Sequence, residues 1–184
     1  MKTMKDIREI WEKIYREYFG LEKDFSSLEV PNEYDSAKYF GVIVSGITMN
    51  EILEGMTRKF KVDVYKKDLN GEVRGRMEKQ YFIFFKKNIE ADEDLLFIPA
   101  FVLKNMRHNG ITLRERMLLE ILPVETEGKF LDRERVTLCS GSRYYNGLVP
   151  TMYEEKGEII ISWRRSNVSL FHVASRSVQG FKRF

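Results

Sequence analysis

Acid, base, nucleophilic or metal chemistry in this chain would have to come from two histidines, one cysteine and 28 carboxylates. His108 sits in a polar turn (RHNG), and His172 lies more than sixty positions further on. Neither has a cysteine or an acidic residue at metal-ligand spacing, so no metal site is expected. Cys139 could pair with a histidine as nucleophile and base. A lone cysteine beside an apolar run reads better as a small core residue. The Gly141-Ser142-Arg143 turn lacks the G-x-S-x-G pattern of a nucleophile elbow. Gly71 and Gly75 lack the strand–loop–helix setting of a phosphate cradle. Glu90, Asp92, Glu93 and Asp94 form an acidic cluster without the turn glycine of a calcium loop. They suit a solvated helix N-terminus, where the helix dipole favours negative charge. The expectation is a protein that is not an enzyme and needs no cofactor or metal.

The other chemistry on offer is recognition. The stretch from Thr137 to Val178 interleaves Arg143, Tyr144, Tyr145, Trp163, Arg164 and Arg165 with Ser and Asn. Tyr and Arg supply contact area, and Ser and Asn supply adaptable hydrogen bonds. The same mixture could stack bases and pair phosphates, so a nucleic-acid-binding module is the alternative reading. The near-balance of 31 basic and 28 acidic residues, and the acids Glu154, Glu155 and Glu158, weigh against it.

Elements must position these residues. At 184 residues and 43% hydrophobic content the chain suits one core-forming domain, with at most a small appendage. Residues 4–19 carry Ile7, Ile10, Trp11, Ile14, Tyr15, Tyr18 and Phe19 on one helical stripe, closed by Gly20. Residues 1–38 therefore read as an N-terminal helix and connection, and residues 39–184 as the main domain. Tyr39–Ser45 reads as a buried strand. Thr48 and Glu51 form a capping box opening a helix to about Lys59. Phe60, Val62 and Val64 alternate as a strand, Asn70-Gly71 signals a tight turn, and Tyr81–Phe85 reads as a central strand. Leu95 to Met106 is expected to be a helix interrupted at Pro99. Thr112 and Glu115 form a second capping box, and Pro123 is expected to end its helix.

The N-terminal residues carry charges throughout and no apolar h-region, so neither a signal peptide nor a membrane insertion is expected. A single cysteine excludes an intramolecular disulfide and fits a reducing compartment. The implied location is cytoplasmic or on a virion.

One pattern is more specific. EADEDL (90–95), GITLRERMLLEI (110–121), a GKFLD turn (128–132), VTLCSGSRYYNGLVP (136–150), ISW (161–163) and SRSV (175–178) together resemble the variable target proteins of diversity-generating retroelements. The resemblance covers about residues 39–178 and is most specific from Gly110 to Trp163. It implies an α+β, C-type-lectin-like fold, with two main helices around antiparallel sheets. It implies a non-enzymatic display protein whose surface at about 142–178 is diversified to bind a protein or another exposed macromolecule.

In that family adenines of selected codons are mutated. Variable positions then hold residues reachable from an Asn-type codon, such as Tyr, Asn, Ser, Phe, His, Arg, Leu and Ile, but not Lys, Glu, Gln, Met or Trp. The implied frame is Ser140, Gly141, Ser142, Arg143, Gly147, Val149, Pro150, Trp163, Arg176 and Ser177. The implied ligand-binding positions are Tyr144, Tyr145, Asn146, Leu148, Thr151, Tyr153, Ser162, Arg164, Arg165, Asn167, Ser169, Phe171, His172 and Ala174. Met152 and the 154–157 turn fall to the scaffold. Alternation around Ser162, Trp163 and Arg164 would let one face hold the fold while the other changes.

Overall fold

In the computed structural model, which describes residues 4–65, 69, 72–76 and 80–184, the expected helical stripe forms α1 (Met4–Phe19). Ile7, Trp11, Ile14, Tyr15 and Tyr18 are all buried. Two of them also close a sheet edge. Trp11 Nε1 donates to Gly41 O (2.8 Å), Tyr15 Oη donates to Ile43 O (3.1 Å), and Tyr15 Oη accepts from Ser45 N (2.8 Å). These bonds go to β1 (Tyr39–Ser45), whose other edge pairs with the next strand of its sheet. An edge strand that would otherwise present bare backbone is thereby satisfied. The boundary drawn at residue 38 thus falls inside one hydrophobic core shared by α1 and β1.

Helix α2 (Met49–Thr57) opens on the expected Thr48/Glu51 capping box and leads to β2 (Lys61–Val64). The short β3 (Glu72–Arg74) precedes β4 (Gln80–Lys86). The Asn70-Gly71 turn lies outside the described residues. Tyr81 to Phe85 are all buried, and β4 is the middle strand of an antiparallel β1-β4-β10 sheet, as its aromatic run predicts. Strand β10 (Val178–Arg183) comes from the far end of the chain.

Between β4 and α4 the expectation fails once outright and once in part. Residues 95–106 do not form one kinked helix. A single 3-10 turn (Glu93–Leu95) ends at Leu96, and Pro99 is the N-cap of a separate short helix, α3 (Ala100–Asn105). Pro at the start of a helix costs nothing, because its missing N–H has no intrahelical partner there. The acidic cluster is a solvated helix start only in part: Glu93 and Asp94 are exposed in the first turn of the 3-10 helix, but the other two acids are tied down. Asp92 is buried and accepts from Ser177 N (2.7 Å), and Glu90 accepts from Arg135 N (2.9 Å). These carboxylates tie the C-terminal segment and the 133–135 loop to the domain.

Helix α4 (Leu113–Glu127) opens on the expected Thr112/Glu115 box but does not end at Pro123. It continues another turn to Gly128, a left-handed cap at φ 67° whose N–H bonds Val124 O (3.0 Å). Burial of Leu119, Ile121 and Leu122, and a bond from Tyr18 Oη to Glu125 Oε1 (2.6 Å), hold the last turn despite the lost proline bond.

The remaining strands are β5 (Val136–Leu138), β6 (Arg143–Tyr144), β7 (Leu148–Glu155), β8 (Glu158–Arg165) and β9 (Val173–Ala174). All but β6 join β2 in a five-stranded sheet in the order β2-β8-β7-β5-β9. That sheet is mixed, not antiparallel: β2 runs parallel to β8, and β5 parallel to β9. A small β3-β6 pair completes the fold. The class is α+β, as expected, with α1 and α3 added to the two main helices. Met152, Ile159 and Ile161 enter the main core under α4, whereas Val149, Val136, Leu138 and Val173 form a second core with Leu95 and Leu103. Both faces of the β7–β8 ladder are therefore packed. Among the described residues no helix is long and apolar enough to cross a membrane.

Candidate recognition surface

Two glycines bring the Gly/Ser turn against the start of α4. A Cβ on Gly110 would overlap Ser140 Oγ, and one on Gly141 would overlap Gly110 O. The close approach lets Gly141 N donate to Ile111 O (2.9 Å) and Ser142 Oγ accept from Leu113 N (2.9 Å). Arg143 turns its guanidinium onto backbone, donating to Ser140 O (3.0 Å), Ser142 O (2.6 Å) and Ala100 O (2.8 Å). Arg176 is fully buried. It donates to Asn88 O (2.9 Å), Ile89 O (2.7 Å) and Asp132 Oδ1 (2.6 Å). Gly147 takes φ 76°, closing the turn into β7. The frame residues thus hold backbone to backbone, and their side chains are committed to the fold.

The fourteen candidate positions divide. Tyr144, Thr151 and Ala174 are buried, which corrects their assignment to a displayed face. Tyr144 Oη donates to Leu69 O (2.9 Å), and its ring meets Trp163 edge-on at 5.7 Å. Thr151 Oγ1 and Ser162 Oγ bond each other across the β7–β8 ladder (2.8 Å). Ala174 lies in the second core. Leu148, Tyr153, Ser162 and Arg164 are half-buried. Trp163 packs on the main core with Ser162 and Arg164 on the opposite face, but that face is only half open, because Val149 and Tyr153 of β7 join the second core there.

Tyr145, Asn146, Arg165, Asn167, Ser169, Phe171 and His172 are exposed. Register places most of them together. Leu148 pairs with Arg165 at one end of the ladder, so the 145–147 turn and the 166–172 loop leave from that same end. The Glu155–Glu158 hairpin closes the other end. Helix α3 joins the first end, since Phe101 N donates to Ser166 O (3.0 Å) and Arg143 reaches Ala100 O.

Tyr153, Arg164 and His172 sit elsewhere, around a depression of about 260 Å³ that Arg133, Arg135 and Glu154 also line. Its charges largely cancel, and Arg133 Nε is bonded to Glu154 Oε2 (3.0 Å).

Sequence reasoning missed Phe97 and Phe101, which are 47% and 44% exposed. Phe97 meets Phe171 edge-on, with ring centres 5.3 Å apart. A phenylalanine just before Ile98-Pro99, in a stretch expected to be helical, gave no signal for this.

Catalytic candidates fare differently. Cys139 is fully buried, and burial pushes its thiol far up, with the Arg116 charge only partly opposing. A thiolate nucleophile is disfavoured there. Burial lowers the His108 pKa, with the charges of Asp92 and Asp94 opposing. No three His, Cys, Asp or Glu side chains gather as a metal site among the described residues.

No family model matches the chain, and neither a curated protein nor a solved structure matches it.

Proposed function

We propose that the protein is a binding module of C-type-lectin-like architecture. Its recognition surface is the end of the domain formed by the 145–147 turn, the 166–172 loop and α3. The observation that carries this reading is the division of labour between side chains. Ser142, Arg143 and Arg176 bond backbone atoms and Ser140 bonds the Ser175 hydroxyl, while Tyr145, Asn167, Ser169 and Phe171 face solvent from one end of the β7–β8 ladder. Such a surface can change its side chains without changing the fold. The packing of α4 on β1 and of α2 on α4, and the meeting of β1 and β10 on β4, support the lectin-like reading.

The same arrangement supports membership among retroelement-diversified display proteins, whose ligands are proteins or other exposed macromolecules. The decisive experiment is on the gene. Sequencing its locus should reveal a near-copy of the DNA encoding about residues 142–178, differing only where the copy carries adenine, beside a reverse transcriptase gene. The buried positions Tyr144, Thr151 and Ala174 should be invariant among clones of one population, and Tyr145, Asn167 and Phe171 should vary. A locus with neither near-copy nor reverse transcriptase removes the diversification reading.

A further inference from the structure

We propose that Phe97 and Phe101, with Phe171, are the anchor of this surface, and that the partner it fits is an acidic polypeptide segment carrying an apolar side chain. The inference rests on the recognition-surface reading and adds what that surface takes.

Isolated exposed aromatics are ordinary. These are not isolated. Phe97 is 47% exposed and Phe171 is 84% exposed, their rings are in edge-to-face contact, and Phe101 N bonds Ser166 O at the start of the loop that carries the exposed Val168 and Phe171. The backbone supplies a second reason. Phe97 has φ 64°, a left-handed conformation that is unfavourable for an L-residue with a side chain. It is held there from both sides. Phe97 N donates to Val173 O (3.3 Å), and Ser169 Oγ donates to Phe97 O. A glycine would meet the backbone requirement without strain, yet the position carries a large ring turned half into water. Strain maintained to display an aromatic points to use of that aromatic.

Charge then selects the partner. No Asp or Glu occurs in residues 95–114, 135–153 or 159–184. Those segments supply α3, the 145–147 turn and the 166–172 loop; Glu72, which pairs with Tyr144 in the β3–β6 ladder, stands beside the turn, not in α3 or the 166–172 loop. Lys104 lies three residues after Phe101 on α3, so the two share a face. Arg165 precedes Ser166, the residue whose carbonyl accepts from Phe101 N. Lys104 and Arg165 are both exposed. The nearest acids along the chain, Glu93 and Asp94, are turned to Arg135 and Lys86. Apolar rings on segments that carry exposed cations and no acidic residue complement an apolar side chain flanked by carboxylates.

Geometry weighs against a nucleic acid. The Phe97 and Phe171 rings stand at 88°, offering one face and one edge rather than successive faces for successive bases. Arg143, the next cation inward, is turned onto three carbonyls.

The test selects peptides from a random displayed library on the immobilised full chain, and measures their affinity by fluorescence anisotropy. Single-stranded oligothymidine is the competing probe. Enriched peptides should be net negative and carry an aromatic or aliphatic residue. Phe171→Ala and Phe97→Gly should each weaken them by about tenfold or more. Phe97→Gly keeps the left-handed backbone, and thermal melts of both variants should match the parent. Lys104→Glu with Arg165→Glu should reverse the charge preference of the selected pool. Neutral or basic winners, no winners, or tighter binding of oligothymidine would each overturn the proposal. Peptides weakened by Tyr145→Ala and Asn167→Ala but not by Phe97→Gly would overturn the anchor and leave the recognition surface standing. Peptides indifferent to all these changes would remove both.

Discussion

Asp132→Asn tests the buried ionic network that ties the C-terminal segment to α4. Asp132 is fully buried, with φ 56°. Its Oδ2 accepts from Arg116 Nε (3.0 Å) and NH2 (2.8 Å), and its Oδ1 accepts from Arg176 NH2 (2.6 Å). Thr137 Oγ1 donates to the same carboxylate. Asparagine keeps the shape and tolerates the left-handed backbone, so the substitution removes little but the charge. Arg116 would then keep only Glu120 as an anionic partner, whose own carboxyl burial raises with Arg116 opposing, and Arg176 would be left with the carbonyls of Asn88 and Ile89 and the Thr137 hydroxyl. Removing one partner from such a network costs about 3–5 kcal/mol. For a chain of this size each kcal/mol moves Tm by about 2–4 °C, so the variant should melt about 6–20 °C lower.

The pH arm adds a sign. Burial opposes charging of Asp132, but Arg176, Arg116 and the Thr137 hydrogen bond outweigh it and hold its carboxyl below the ordinary carboxylate range. A depressed folded value gives stability that is full above the unfolded carboxylate value of about 3.9 and is lost as pH falls toward the folded value. The parent should therefore lose stability on acidification more steeply than Asp132→Asn, and the two curves should converge. Guanidinium unfolding followed by fluorescence of Trp11 and Trp163 measures both. A variant within about 1 kcal/mol of the parent at neutral pH would refute the reasoning, since a buried charge would have been removed at the cost of a surface one.

Three further outcomes are expected. Gly141→Ala should destabilise by about 1–3 kcal/mol in the same assay, because its Cβ meets backbone that cannot move aside. Tyr144→Phe should cost about 1–3 kcal/mol by orphaning Leu69 O in a buried site, whereas Tyr145→Phe should be neutral; equal effects would mean that Tyr144 is not part of the frame. Cys139 should resist alkylation by iodoacetamide in the folded protein and react once denatured, with mass spectrometry as the readout.

Local signals in the sequence were dependable where local physics decides. Both Thr/Glu capping boxes form, and the aromatic run 81–85 is the central strand. The signals failed where tertiary contacts overrule them. Pro123 stays helical because its neighbours are buried and Tyr18 grips the next turn. Asp92 is buried because it accepts a bond from a strand connection 85 residues away, which no window of sequence contains. The proposed recognition surface was half legible. Residue types marked the 142–178 stretch, but burial of Tyr144 and Thr151 depends on Leu69 and on a second core that alternation does not reveal. Phe97 and Phe101 belong to the surface only through the 166–173 loop that folds beside them.

The way that loop is moored has a consequence for its length. Ser166 is bonded to Phe101 at one end, and Val173 enters β9 at the other, so the span between them does not set the register of any strand. Inserted residues would leave the ladder in place. Their entropic cost grows only logarithmically, by about 0.6 kcal/mol per doubling of a flexible loop. The domain should therefore accept insertions between Asn167 and Leu170, and so change the reach of the proposed binding end as well as its composition.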